Sequence, residues 1–258
     1  TRVTGKFAGS SACWSTSFAC RTIVVCTPNY AREVGICGAL TGRLDRGEKP
    51  AALRQRAIDL TEIPASWLQP RMGSSVSTLV TTREAPWQSQ HFNLATHVGD
   101  QAHVDRNRCY VSRVLAGCDI QWLQQVHGVE SVYVDAVVRN APAVDAIWTD
   151  QPTIALAIMT ADCLPVLLAS RDGSVVAAAH AGWQGLVGGI LTKLVSSLPV
   201  PASDLCAWLG PAISRQHYEV GEDVWGKFPP EHCYPHKEAS HRMLDLAGIA
   251  KAELESLA

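Results

Sequence analysis

The chain has 258 residues, 47% of them apolar and 18% charged, with a formal net charge of −2. That length and balance permit one large buried core and exclude a disordered chain. The small net charge gives no general pull toward nucleic acid or an anionic membrane, so neither is expected as a partner.

Residues 1–62 carry nine Lys/Arg against five Asp/Glu and form an N-terminal extension whose elements are poorly readable. Short apolar pieces such as 22–26 sit there among Gly, Ser and Arg without sustained periodicity. Of the nine cysteines, Cys13, Cys20, Cys26 and Cys37 fall in this stretch, with no C-x-x-C pair among them. A chain this long with no small disulfide framework is expected to be a reduced, cytoplasmic protein. No N-terminal segment has the basic, apolar and small-residue order of a signal peptide.

From Ile63 to the end helices and strands become readable, as a single domain. Residues 107–115 predict a helix, with Asp105 in its first turn and Gly117 beyond its end. Strands follow at 120–126 and 131–134. Residues 153–159 are an apolar run of strand length, interrupted by Thr160-Ala161-Asp162-Cys163 and resumed over 164–169. Arg171-Asp172-Gly173-Ser174 is a hairpin turn, and 174–179, nearly all Val and Ala, is a second buried strand. The longest apolar stretch, 175–191, contains His180 and Gln184, which hydrocarbon would leave unsatisfied, so it reads as strand, turn and helix rather than a membrane span. That helix is expected to reach about 198, before Pro199. A strand at 205–209 and an amphipathic helix over 243–258 complete the chain. Strands alternating with helices around apolar runs predict an α/β sandwich over a mixed β-sheet.

His127, Cys163 and His180 each sit where an apolar strand ends. Strand ends meeting on one edge of a sheet bring distant residues together. Two imidazoles and a thiolate suit a borderline divalent metal and leave a fourth position open, as catalytic zinc sites do. Their spacings, 36 and 17 residues, match no short zinc pattern, and singly Cys163 is more often a packing residue and each histidine more often one that satisfies a local hydrogen bond. Gly182, Gly185, Gly188 and Gly189 surround Gln184 at a helix start, where backbone amides attract anions; tight helix–sheet packing is the competing reading. Asp162 beside Cys163 is a candidate base or ligand-orienting group, or a simple turn cap.

Several blocks in order resemble one family: Gln125-Val126-His127-Gly128, Thr160-Ala161-Asp162-Cys163-Leu164-Pro165-Val166, Ala179-His180-Ala181-Gly182-Trp183, Trp208-Leu209-Gly210-Pro211-Ala212-Ile213 and Tyr218-Glu219-Val220-Gly221. Upstream, Thr82-Arg83, Asn93-Leu94, His97-Val98-Gly99-Asp100 and Asn107-Arg108 fit the same pattern. Together they resemble the YfiH family, also called the laccase-domain or multicopper polyphenol oxidase family, over roughly residues 75–250. The resemblance implies a single α/β domain holding a metal, usually zinc, on His127, Cys163 and His180. It also implies phosphorolysis of purine nucleosides (adenosine, inosine, guanosine, methylthioadenosine) and adenosine deamination, with nucleoside and phosphate as small-molecule partners. In phosphorolysis, phosphate attacks the sugar carbon as the base leaves; in deamination, a metal lowers the pKa of the attacking water.

Asp162 and His97 are then candidates for acid–base or supporting roles, Arg83 for anion contact, and Gly182, Gln184 and Gly185 for substrate binding. Three departures stand out. Gln184 replaces the Arg of the family's His-Ala-Gly-Trp-Arg-Gly, removing a phosphate-binding cation. The family's Cys-Thr and Phe-Ser-Tyr-Arg-Arg-Asp blocks are missing after 250, and Glu84-Ala85-Pro86-Trp87 stands where a glycine-rich turn is usual.

An alternative is copper-dependent oxidation of phenols, which a His2Cys set with Met159 nearby also suits. Against a four-copper laccase, the chain has no His-x-His pair. A metal-free Cys–His hydrolase and an inactive binding protein are further readings.

Overall fold

The structure, a computed structural model, describes the backbone of residues 22–28 and residues 66–72, 76–83, 92–115 and 118–258 in full. Cys13, Cys20, Cys37, Gly117 and the 84–87 turn lie outside the described residues. Strand β1 (Thr22–Pro28) lies between β2 (Val76–Val80) and β6 (Ile154–Thr160), antiparallel to both, and β3 (Asp119–Gln121) closes that sheet parallel to β6. The stretch 22–28 thus pairs along most of its length despite its lack of periodicity.

A second mixed sheet has the order β4-β5-β8-β7-β9, built from β4 (Ser131–Tyr133), β5 (Ala146–Thr149), β7 (Leu164–Ser170), β8 (Val176–Ala181) and β9 (Leu205–Leu209). The expected α/β sandwich is present, with its mixed sheet doubled. Period-two alternation explains the layers. Leu167, Ala169, Val176 and Ala178 face Leu156 and Ile158 of β6 across the gap between the sheets. Val166, Leu168, Ala177 and Ala179 face outward, against α3 (Ile190–Ser197) and α5 (Leu246–Leu257). On the far side of the first sheet, Ala155, Ala157 and Leu79 pack on Tyr110, Val111 and Val114 of α1 (Gln101–Val114). The order is helix, sheet, sheet, helices. A small third sheet joins β10 (Glu219–Gly221), β12 (His241–Leu244) and β11 (Cys233–Pro235).

Several expected boundaries move. Helix α1 starts at Gln101, not 107, because Asp100 caps it by accepting from the His103 amide at 3.1 Å. Asp105 is therefore well inside the helix, where it accepts from Gln101. The strand expected over 120–126 stops at Gln121, as the Gln125 amide instead grips the Met159 backbone, donating to its carbonyl at 2.7 Å and accepting from its N–H at 2.8 Å. The helix expected to follow the 180–185 turn and reach about 198 is two, starting earlier: α2 (Trp183–Val187) and α3, broken at Gly188 and at Gly189, whose φ of +76° only glycine adopts cheaply. The C-terminal helix begins at Leu246, capped by Asp245, and the residues before it form β12. Strand β5 went unpredicted. Among the described residues no helix is long and apolar enough to cross a membrane.

Candidate metal centre

The topology brings one end of both sheets together. Parallel β3 and β6 finish at the same end. The 122–130 link then carries the chain from β3 to β4, and the 161–163 link carries it from β6 to β7, each crossing from the first sheet to the second. Antiparallel β8 ends where β7 begins, with Pro165 opposite His180. His127 and Cys163 therefore ride on the two crossovers, and His180 on the last turn of a strand between them.

The three side chains converge. One ligand atom from each of His127, Cys163 and His180 lies within 4.8 Å of the others. Cys163 Sγ is 3.9 Å from His127 Nε2, and the imidazoles stand edge to face with centroids 4.8 Å apart. A tetrahedral metal with bonds of about 2.0–2.3 Å expects ligand atoms roughly 3–4 Å apart, so a small closure completes the set. Gly182 leaves space for it. A Cβ there would lie 3.0 Å from Cys163 Sγ and 3.4 Å from His127 Cδ2. The donor set and this cradle fit a divalent metal.

Asp145, absent from the sequence reading, organises the group. It is fully buried just before β5. Its carboxylate accepts from the backbone N–H groups of Val126, His127 and Gly128 at 3.0, 3.0 and 2.7 Å, and from His180 Nδ1 at 2.8 Å. Four donors satisfy an acceptor-only group that burial would otherwise heavily penalise. Burial opposes ionisation of Asp145, but the His180 hydrogen bond and the Gly128 and Val126 amides outweigh it and hold its pKa below the ordinary value. Burial likewise opposes charge on His180, but Asp145 and then Cys163 push its pKa up. His127 goes the other way: burial, then the nearby His180 charge, lowers it against the pull of Asp145. A charged residue bordering the apolar run Ala146-Ile147-Trp148 was the available signal, since unpaired carboxylates are almost never fully buried.

The other expected site residues spread more widely. Asp162 is exposed beside Cys163, and its backbone carbonyl anchors the next loop by accepting from Ile213 N at 2.9 Å. That loop leads to Tyr218, whose pKa is pushed up to about 12 by burial and by the charges of Cys163 and Asp162. Gln184 is exposed on the five-residue helix α2, too short for a substantial dipole. Gly185 is buried against the Gly128 carbonyl and Ile190, as close packing requires. Arg83 and His97 are exposed in loops on either side of the 84–91 stretch, and neither is part of the converging group. The Met159 sulfur accepts from Arg108 Nη2 at 3.6 Å.

Comparison with known proteins fits this picture. The family described as multi-copper polyphenol oxidoreductase laccase matches residues 77–258. A purine nucleoside phosphorylase of Pseudomonas aeruginosa is 40% identical over 203 residues, covering 73% of this chain and 82% of its own. Purine nucleoside phosphorylase YfiH of Escherichia coli is 38% identical over 172 residues, covering 63% of this chain and 68% of its own. Among solved structures, a Neisseria meningitidis protein superposes with a TM-score of 0.68 at 37% identity, covering 74% of this chain and 83% of that one. YfiH of Bacillus licheniformis superposes with 0.59 at 26% identity, covering 65% and 71%.

Proposed function

The chain belongs to the YfiH family of laccase-domain proteins, and on that footing we propose that it is a zinc-dependent purine nucleoside phosphorylase. The observation that carries the reading is the convergence of His127, Cys163 and His180 within 4.8 Å at the cradle left by Gly182. Zinc held there by His127, Cys163 and His180 would supply a Lewis acid.

The chain's own residues do the rest. His127, His180 and Cys163 hold the ion. In phosphorolysis a phosphate oxygen bonds to the sugar C1′ while the C1′–N bond breaks, and the departing base takes up a proton. Asp162, next to Cys163 in the chain, and Tyr218, which feels the charges of both, are suited to manage that proton. Tyr218, with its raised pKa, stays a donor at neutral pH. Arg83 is assigned to anion contact, His97 to an acid–base or supporting role, and Gly182 and Gln184 to the substrate, while Gly185 packs the helix start against the Gly128 carbonyl. Adenosine deamination is the companion activity, since it consumes water and does not need the cation that Gln184 has replaced. Copper-based phenol oxidation has less support: no His-x-His pair is present, and the Met159 sulfur is engaged by Arg108.

The test is inosine phosphorolysis and adenosine deamination across a phosphate series, for the native chain and Gln184→Arg. Charge-assisted hydrogen bonds are worth about 1.5–3 kcal/mol against about 1 for neutral ones. Restoring one should therefore lower the phosphate KM roughly tenfold, leaving deamination unchanged. Base release that does not depend on phosphate would overturn the phosphorylase reading. An unchanged phosphate KM in Gln184→Arg would remove position 184 from the anion site.

A further inference from the structure

The geometry assigns Asp145 as the positioning residue that presets two of the three metal ligands at once, a role that rests on the zinc-site reading above. His127 is the one non-glycine residue with positive φ among the described residues, at 59°. A left-handed conformation is unfavourable for a residue with a Cβ and persists only where its surroundings over-determine it. What over-determines it here is an internal anion. The successive N–H groups of Val126, His127 and Gly128 turn inward and converge on the Asp145 carboxylate, occupying both oxygens. Such concave runs of amides bind anions, and this one binds the protein's own.

The same carboxylate determines which nitrogen His180 offers. Asp145 Oδ1 can only accept, so His180 Nδ1 carries the proton of their 2.8 Å contact, leaving Nε2 as the ligand atom. The backbone secures the pair again, with His180 N donating to the Asp145 carbonyl at 2.8 Å. Ligands on a crossover loop and on a strand end are thereby locked to one buried group before any metal arrives. An amide in place of the carboxylate cannot serve both. Turning its oxygen to the loop amides presents an NH2 to His180 or to a remaining N–H donor, and the opposite flip deprives the loop.

The experiment is zinc affinity by chelator competition on the full 258-residue chain, for wild type, Asp145→Asn and Leu167→Ala. Leu167 is a fully buried core residue between the sheets, and its truncation is destabilising without touching the site. Asp145→Asn should weaken zinc binding 10–100-fold, the range typical of lost ligand-orienting partners, while Leu167→Ala stays within twofold of wild type. In parallel, 15N-histidine NMR of the 113Cd-loaded wild type should show cadmium coupling to His180 Nε2, with Nδ1 protonated. That measurement tests the assignment even if Asp145→Asn does not fold. Zinc binding by Asp145→Asn within twofold of wild type, or coupling at His180 Nδ1, overturns the assignment to Asp145 alone. A wild-type chain that takes up no metal overturns it together with the zinc-site reading.

Discussion

Two clusters among the described residues bring three metal-capable side chains within 4.8 Å: His127, Cys163 and His180 at the sheet ends, and Glu219, Glu238 and His241 on the small third sheet. By proximity alone they are equals. They differ in what holds them. In the first, His180 is buried and tied to Asp145, and His127 sits on a loop pinned by three amide hydrogen bonds. In the second, Glu219 and Glu238 are 46% and 58% exposed, the ion-pair contacts run between cluster members and His236 (Glu238 to His241 Nδ1 at 3.4 Å, Glu219 to His236 at 3.6 Å and to His241 Nε2 at 4.0 Å), and His241 Nδ1 has an exposed hydrogen bond with its chain neighbour Ser240 Oγ at 3.0 Å. Exposed pairs of this kind are worth about 0–1 kcal/mol and rearrange freely. Converging atoms do not by themselves make a site. A supporting shell that fixes them without the ion does.

The comparison breaks most directly by removing one histidine from each cluster. His180→Ala should lose zinc by at least 100-fold, as roughly a third of the ligand set goes and Asp145 is left buried without its partner. His241→Ala should change zinc stoichiometry and affinity by less than twofold. Equal losses in the two variants would mean that the exposed cluster also carries the bound metal.

A smaller effect is expected at Gly182. Its added Cβ would meet Cys163 Sγ at 3.0 Å, so Gly182→Ala must push the sulfur aside by a few tenths of an ångström. Zinc affinity should drop about tenfold, given how steeply ligand placement controls a metal site, with the unfolding midpoint of the metal-free protein nearly unchanged. An unaltered affinity would show that the ion does not approach the cradle.

Acidification sharpens the contrast by the smallest step. His180 binds metal only after losing its Nε2 proton, and Asp145 holds its pKa above the ordinary imidazole value. Zinc should therefore compete with that proton even between pH 8 and 7, where an unperturbed histidine near 6.5 is already neutral. Over that interval the wild type should lose apparent affinity more steeply than Asp145→Asn; equal slopes would count against the Asp145–His180 coupling. Stability of the metal-free chain runs oppositely. The His180 contribution is fully present below the unfolded value and is lost as pH rises through the raised folded pKa. The Asp145 contribution is present above the unfolded carboxylate value and fades as pH falls through its lowered one.

The convergence of His127, Cys163 and His180 was legible in the sequence, and for a definite reason. His127, Cys163 and His180 each interrupt or end an apolar run, and the buried strands β6, β7 and β8 carry long uninterrupted apolar stretches that fix their own ends. What holds the ligands was not legible. Asp145 resembles a turn acid until β5 is known to lie beside β8, and β5 has four residues with no period of its own. Helix α1 reads short because its first two turns are polar outside Ala102 and Val104, while its start depends on one cap at Asp100. The break at Gly188-Gly189 shows in the sequence as two adjacent glycines, but adjacent glycines also suit a helix start, and the apolar residues on either side favour one continuous helix. Local chemistry survives translation into sequence; contacts between elements far apart in the chain do not.

Cys163→Ala, measured for zinc content and inosine turnover in one preparation, tests the central claim most directly. Ligation by the thiolate predicts that metal and turnover fall together, with less than a tenth of the wild-type zinc retained after dialysis, since one of three protein ligands and its charge are gone. A variant that keeps a full equivalent of zinc and loses only turnover would contradict it, and would make Cys163 a nucleophile instead.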